Sequence, residues 1–132
     1  QKEMGIFSED TELSPHDPDV QVWDELPAEE QELFTRMMEV WAGFVTYTDE
    51  QFGRILDMLD DIGELDNPLI MIISDNGASP EGGDVGTLNE NDFFNNITTD
   101  IKANLAALDT LGGPENYNHY AWGWANAGTT PF

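Results

Sequence analysis

An acid, an amide and a glycine follow a short apolar run in the middle of the sequence. Residues 69–73 are all apolar, and after Ser74 come Asp75, Asn76 and Gly77. A carboxylate beside an amide oxygen offers hard oxygen ligands of the kind that calcium and magnesium bind. The same residue types also favour an ordinary tight turn. The segment therefore has two interpretations, part of a metal site or a turn without chemistry.

The elements around this segment decide how its side chains are placed. Residues 69–73 have the length and the β-branched content of a strand that is buried on both faces, as in a parallel sheet. A helical pattern precedes them and a polar loop follows. This order is typical of an α/β protein, in which ligands bind beyond the carboxyl ends of the strands. We therefore predict an α/β fold with Asp75 and Asn76 at that edge and Gly77 allowing a sharp turn.

A long helix is predicted upstream of the strand. Pro27 suits a first helical turn, and Gly63 is a plausible helix stop. Between them the side chains of one stripe recur at spacings of three and four: Phe34, Met38, Trp41, Val45, Thr48, Phe52, Ile55, Leu59 and Ile62. We expect one helix, or two helices with a break near residues 43–48, packed into a globular core. An unbroken helix would be on the order of 50 Å long, which indicates a chain that is part of something larger.

The second half of the chain combines a long loop, a shorter helix and an aromatic tail. Residues 78–97 are loop-like, and Thr98 or Thr99 is expected to cap the helix that follows. Its apolar face is formed by Ile101, Leu105, Leu108 and Leu111. The tail from residue 115 is rich in aromatic residues and glycine, without periodicity.

Three further kinds of residue have both a functional and a structural interpretation. His119 is a candidate for lining a substrate crevice, although a histidine among aromatic residues is more often a packed structural residue. Glu81 would approach a metal or substrate, or be a solvated loop acid. Trp122 and Trp124 would stack against an aryl or sugar group, or anchor the core.

The composition excludes several classes of function. The chain has 27 Asp and Glu against four Lys and Arg, a net charge of −23, and no cysteine. Such a field repels nucleic-acid phosphates and anionic membranes, and no apolar run approaches the length of a membrane span. We therefore expect no nucleic-acid partner and no membrane insertion. Without cysteine, disulfides, thiolate metal sites and a cysteine nucleophile are excluded within these residues.

Longer motifs link the chain to a known family. GELDNPLIMIISDNGASPEGG, with RMMEVWAGFVTYTDEQFGRIL before it and LGGPENYNHYAWGWANAGTTPF after it, closely resembles the formylglycine-dependent sulfatases, in their bacterial arylsulfatase-like branch. The resemblance extends from about Gly5 to Phe132. It implies an alkaline-phosphatase-like α/β sandwich, of which residues 1–132 would form part of the catalytic domain. It also implies that Asp75 and Asn76 bind the active-site calcium.

The same resemblance implies groups that these residues do not contain. The family uses a formylglycine nucleophile made from Cys or Ser in a C-x-P-x-R segment, a pair of Asp metal ligands and a catalytic lysine. We therefore predict no catalytic residue in this chain, and expect a complete parent enzyme to hydrolyse a sulfate ester. A periplasmic or extracellular location is expected from the resemblance alone.

Two alternative functions stay open on the sequence. A related phosphodiesterase or phosphonate hydrolase would share the fold and the metal ligands, since two oxygen ligands do not distinguish sulfate from phosphate. A non-catalytic acidic module would bind cations, or a partner helix, through the long apolar stripe. A C-x-P-x-R segment upstream would favour the sulfatase, whereas Ser or Thr in another context would favour phosphate chemistry.

The excess of acidic residues leads to a first prediction. Like charges crowded into a small domain repel one another, and added salt screens that repulsion. The melting temperature of the chain should therefore rise between low and molar potassium chloride, as followed by circular dichroism. Such an acidic composition is typical of proteins that stay soluble in high salt, and a flat or falling dependence on salt would contradict that interpretation.

Overall fold

The computed structural model describes residues 1–131, and Phe132, the last residue of the sequence resemblance, lies outside them. Residues 1–131 contain four α-helices, in chain order α1 (Ala28–Asp61), α2 (Glu90–Phe94), α3 (Ile101–Ala106) and α4 (Trp122–Thr129). Short 3-10 helices occupy Trp23–Glu25 and Leu108–Thr110. In the described residues, no helix is long and apolar enough to cross a membrane.

α1 is one continuous helix of 34 residues, so of the two predicted arrangements the single helix, without a break near residues 43–48, is confirmed. A glycine inside a helix costs only about 1 kcal/mol relative to alanine, and Gly43 alone is too weak an interruption to end it. The helix stops at Gly63, as predicted. Gly63 has φ +73°, its N–H donates to the Asp60 carbonyl at 2.8 Å, and Glu64 N–H donates to Leu59 O at 2.9 Å. These two bonds satisfy carbonyls that the helix end would otherwise leave unpaired.

The hydrophobic core lies against the first half of α1. Leu33, Phe34 and Met37 are buried there together with Leu111 and Ala121. Partly buried side chains surround them: Leu26, Val40, Val85, Leu88, Ile101, Leu105, Leu108, Tyr120 and Trp124. The four side chains predicted to form the apolar face after residue 99 all belong to this core or pack against it. They do not share one helix as predicted, because α3 ends at Ala106 and Leu108 and Leu111 lie beyond it.

α3 begins one or two residues later than the sequence indicated. Its N-cap is Asp100, whose Oδ1 accepts a hydrogen bond from Lys102 N–H at 3.0 Å, in place of the predicted Thr98 or Thr99. Threonine and aspartate cap helices by the same hydrogen bond, so residue type alone does not distinguish these positions.

The second half of α1 projects away from the core. Phe44 and Tyr47 are each 60% exposed, and Ile55 and Met58 are more than half exposed. The expectation that the whole stripe packs into a globular core is therefore correct only for its first half. An apolar face of this size without a partner is typical of a surface that another part of a larger protein covers.

The predicted buried strand at residues 69–73 is not formed. The described part of the chain contains no β-strand, and its β pairing consists of two isolated bridges, Thr87 with His119 and Asn89 with Tyr117. Leu69 is 84% exposed. The physical reason is that a buried strand needs neighbouring strands for its backbone hydrogen bonds, and no other described segment forms one.

Two leucines with opposite surroundings test this division between core and uncovered surface. Leu33 is fully buried, so Leu33→Ala should lower the free energy of unfolding by roughly 2–5 kcal/mol through lost burial and a cavity. Leu69→Ala removes the same atoms from an exposed position and should change the free energy of unfolding by less than about 0.5 kcal/mol. Urea unfolding of both variants beside the wild type measures the difference. Equal losses would contradict this placement of the core.

Candidate functional site

Asp75 and Asn76 both lie on the surface, in the irregular segment that follows residues 69–73. Ser74 Oγ donates to the Asn76 carbonyl at 2.8 Å, and Asn76 Nδ2 donates to the Gly77 carbonyl at 2.7 Å. The amide nitrogen of Asn76 is therefore engaged, which leaves its Oδ1 as the free end. Within residues 1–131 the Asp75 carboxylate has no hydrogen-bond or ion-pair partner. Both side chains thus keep oxygen atoms available to a ligand.

The oxygen atoms of Asp75 and Asn76 are of the type that calcium binds, but two ligands are too few for a complete site. Calcium takes about six to eight oxygen ligands, and a carboxylate and an amide carbonyl are typical members of such a set. Among the described residues, no group of three or more His, Cys, Asp or Glu side chains is arranged to hold a metal ion. The chain therefore offers part of a ligand set, and any complete site requires donors from elsewhere.

The end of α4 supports the segment that carries Asp75 and Asn76. A Cβ atom placed on Gly77 would lie 3.6 Å from Thr129 Cγ2, and one placed on Gly128 would lie 3.2 Å from Ala78 Cβ. The backbone just after Asn76 therefore passes close to the last turn of α4. Because of this contact, the aromatic tail positions the metal-ligand candidates even though it is far from them in sequence.

The loop after this segment is fastened to the residues that precede α4. Gly83 N–H donates to the Pro80 carbonyl at 3.0 Å and closes a turn, and Trp122 N–H donates to the Gly83 carbonyl at 2.7 Å. A Cβ atom on Gly82 would overlap the carbonyl oxygen of Tyr120. Gly82 of the SPEGG motif thus has a packing reason, since no larger residue fits there without moving the backbone, whereas Gly83 has φ +67°, which favours glycine.

Glu81 differs from the solvated loop acid that was one of its two interpretations. Its Oε2 atom is shielded from solvent and has no hydrogen-bond partner within the described residues. A buried carboxylate oxygen without a donor is costly. The side chain is therefore held in place by the packing of the loop rather than by a polar contact.

His119 is held by residues other than Asp75 and Asn76. Its N–H donates to Thr87 O at 3.0 Å and its carbonyl accepts from Thr87 N–H at 3.2 Å, which fastens the tail to the long loop. Its imidazole is partly buried, with Nε2 lying 3.8 Å from Glu90 Oε2. No hydrogen bond or ion pair in the described part of the chain joins His119 to Asp75 or Asn76. The structure therefore does not bring the predicted substrate residue into contact with the predicted metal ligands.

Glu90 links His119 to a neighbouring tyrosine. The hydrogen bond to the Glu90 carboxylate, together with its negative charge, raises the pKa of Tyr117 above its usual value. The rings of Tyr117 and His119 are 6.3 Å apart, with their planes at 65°. The Glu90 carboxylate thus accepts a hydrogen bond from the Tyr117 hydroxyl and lies beside the His119 ring, so the three residues form a small polar cluster at the start of α2.

Two residues with structural consequences for the site were not singled out from the sequence. Asn104 is fully buried, and its Nδ2 donates to the carbonyls of Val85 and Gly86, each at 3.1 Å. It holds the long loop against α3. The signal was present, because Asn104 is a polar residue on the apolar face of that helix. Glu90 carried no comparable signal, since its partners are distant in sequence.

Trp124 of the tail serves as an anchor between α4 and α1. Trp124 Nε1 donates to the Phe34 carbonyl at 2.8 Å, and its ring lies 5.5 Å from that of Trp23. This agrees with the structural interpretation of Trp124. It also explains why the lead-in before α1 needs an aromatic residue at Trp23.

Comparison with known proteins identifies the family. The sulfatase family model matches residues 11–120, which is most of the chain. An uncharacterized sulfatase of Schizosaccharomyces pombe is 37% identical, in an alignment that covers 99% of this chain and 23% of that protein. An arylsulfatase of Klebsiella aerogenes is 29% identical over 99% of this chain and 26% of its own length. No solved structure matches significantly.

The chain belongs to the sulfatase family, and the family prediction made from its motifs is confirmed. Family membership implies an alkaline-phosphatase-like fold. The chain spans about a quarter of the length of the curated relatives it matches. The uncovered stripe of α1 and the unpaired residues 69–73 are consistent with a segment whose partners lie in other parts of such a domain.

The contact between Tyr117 and Glu90 leads to a prediction about titration. Glu90→Gln removes the negative charge that favours the protonated phenol, so the pKa of Tyr117 should fall towards its usual value. A titration to alkaline pH, followed by phenolate absorbance, measures this fall in pKa. Tyr117→Phe identifies the contribution of this tyrosine among the three in the chain.

Glu29→Gln is the matched control, because it removes the same charge from an exposed position in the first turn of α1. It should leave the tyrosine titration unchanged. The same shift in both variants would show that overall charge, rather than the contact with Glu90, raises the Tyr117 pKa.

Proposed function

We propose that this chain is part of the catalytic domain of a sulfatase that hydrolyses sulfate esters. Its own contribution is two ligands, Asp75 and Asn76, to a calcium ion. The observation that carries the proposal is the family match, which includes the SDNG segment, together with the exposed and unengaged oxygens of these two residues. The formylglycine nucleophile and the remaining metal ligands would come from residues outside this chain.

The two ligands would have different tasks. Asp75 would provide negative charge to the ion, whereas Asn76 would provide a neutral oxygen whose orientation is set by the bond from its Nδ2 to the Gly77 carbonyl. When bound, calcium would offset the negative charge of the sulfate oxygens during hydrolysis. The contacts of Gly77 and Ala78 with the end of α4 would keep both side chains at a fixed place.

His119 is proposed as a residue that lines the substrate crevice. Its support is partial exposure of the imidazole and a backbone held on both sides by Thr87. An aryl sulfate is the first substrate to test, because one of the relatives is an arylsulfatase.

The experiment is done on the proposed full-length enzyme, with Asp75→Ala and Asn76→Ala compared with wild type. We expect both substitutions to lower turnover of nitrophenyl sulfate, Asp75→Ala by roughly 100-fold or more. Asp75→Ala should also lower calcium content more than Asn76→Ala does, because ligand charge strongly tunes the binding of a hard cation. Calcium per protein, turnover and melting temperature are measured side by side.

Asp66→Ala is the matched control, since Asp66 is an exposed acid in the turn before residues 69–73. It should keep full calcium and full turnover. If Asp75→Ala also kept both, the metal assignment would be wrong, and a loss of stability without a loss of calcium would favour a simple turn. Faster turnover of bis-nitrophenyl phosphate than of nitrophenyl sulfate by the wild type would instead favour a phosphodiesterase.

A further inference from the structure

A cavity separates the lead-in before α1 from α4. Its volume is about 520 Å³, within the range of about 300–1,000 Å³ that is usual for small-molecule sites. Val20, Val22 and Leu26 form one wall, and the first residues of α4 form the other. Asp75, Asn76, His119 and Glu90 do not line it. The cavity is thus separate from the residues proposed above to bind metal or substrate.

Three tryptophans line this cavity: Trp23, Trp122 and Trp124. Trp124 is held by its hydrogen bond to the Phe34 carbonyl, and Gln31 Nε2 holds the backbone of Trp23 through its carbonyl at 2.8 Å. The Trp23 side is still open to solvent, because that residue is 41% exposed. Aromatic faces are therefore already positioned around the space before any ligand enters.

The charged groups at the cavity are acidic. Asp19 and Asp84 line it and are exposed, whereas no lysine or arginine is among the lining residues. The remaining titratable group is His16, whose Nε2 lies 2.8 Å from the Val20 carbonyl. With a net charge of −23 on the whole chain, the potential at this opening favours cations and repels anions.

The start of α4 acts in the opposite direction, because the positive end of a helix dipole attracts anions. Two of the backbone N–H groups at this end of the helix, which could otherwise donate to an anion, already donate to carbonyls of the chain. Trp122 N–H bonds to the Gly83 carbonyl at 2.7 Å and Trp124 N–H to the Ala121 carbonyl at 2.9 Å. Asp84 stands directly after Gly83 and offsets the dipole further, so the acidic character of the opening prevails.

We propose that this cavity binds a small organic cation with an apolar body, such as a quaternary ammonium that carries an aromatic ring. The cation would lie against the tryptophan faces, where the ring electrons attract positive charge. The carboxylates of Asp19 and Asp84 would balance that charge, and the apolar body would displace water from the valine and leucine wall. A sulfate ester has the wrong charge for this cavity, so the proposal does not depend on the proposed function.

Benzyltrimethylammonium is the probe, and benzenesulfonate, which presents a ring with the opposite charge, is the comparison. Binding to the 132-residue chain is measured by calorimetry and by quenching of tryptophan fluorescence at constant ionic strength. We expect saturable binding of the cation and none of the anion over the same concentrations. Equal affinity for the two probes would overturn the proposal, because it would show an unselective apolar space.

The matched variants separate this site from general attraction to an acidic chain. The double substitution Asp19→Asn with Asp84→Asn should weaken cation binding by about fivefold to tenfold, since each exposed pair is worth up to about 1 kcal/mol. Asp24→Asn with Asp109→Asn removes the same charge from exposed positions that do not line the cavity, and should leave the affinity unchanged. Equal effects of the two doubles would overturn the proposal.

A third variant tests the aromatic contact. Trp23→Leu keeps an apolar side chain in place but removes the ring, so it should weaken binding of the cation by about threefold. Circular dichroism melting confirms that each variant is folded. The same titration on the proposed full-length sulfatase completes the test: loss of binding there would show that other residues fill the cavity, and would overturn it as a site of the intact protein.

Discussion

The hydrogen bond from Trp124 Nε1 to the Phe34 carbonyl, 2.8 Å long, joins the aromatic tail to the first half of α1. Around this hydrogen bond, the buried side chains of Leu33 and Met37 lie in one core with side chains from the long loop and from the helices of the second half of the chain. The other long-range contacts depend on this union. Once the tail is fixed on α1, the Gly83 carbonyl reaches Trp122 N–H, and α4 lies beneath the segment after Asn76. The placement of the metal-ligand candidates thus begins with a core contact far from them.

Local patterns predicted those features that local interactions decide. The existence of α1, its end at Gly63 and the core face of α3 all follow from spacing and from glycine's tolerance of positive φ. The sulfatase family could also be predicted, because the motif around Asp75 and Asn76 occurs together with the EGG and YNHYAWGWANAGTTPF motifs, and that combination is specific. These features need no knowledge of what packs against them.

Features that depend on distant partners were not predictable in this way. Residues 69–73 have the composition of a buried strand, but pairing requires other strands, and none forms among the residues described. The continuity of α1 through Gly43 rests on a difference of about 1 kcal/mol, which a pattern does not resolve. The contacts of Glu90 with His119 and of Asn104 with the long loop exist only after the tail and the loop have come together.

The exposed residues 69–73 also affect how separate copies of the chain associate with one another. A short β-branched stretch without charge or proline is the kind of segment from which intermolecular β aggregation starts. Pro68 and Asp75 border it closely and act as gatekeepers, and the negative charge of each chain keeps other chains at a distance. Salt, which relieves repulsion within one chain, also weakens repulsion between chains. Conditions that favour folding of the acidic chain therefore also favour its aggregation as long as this segment is exposed.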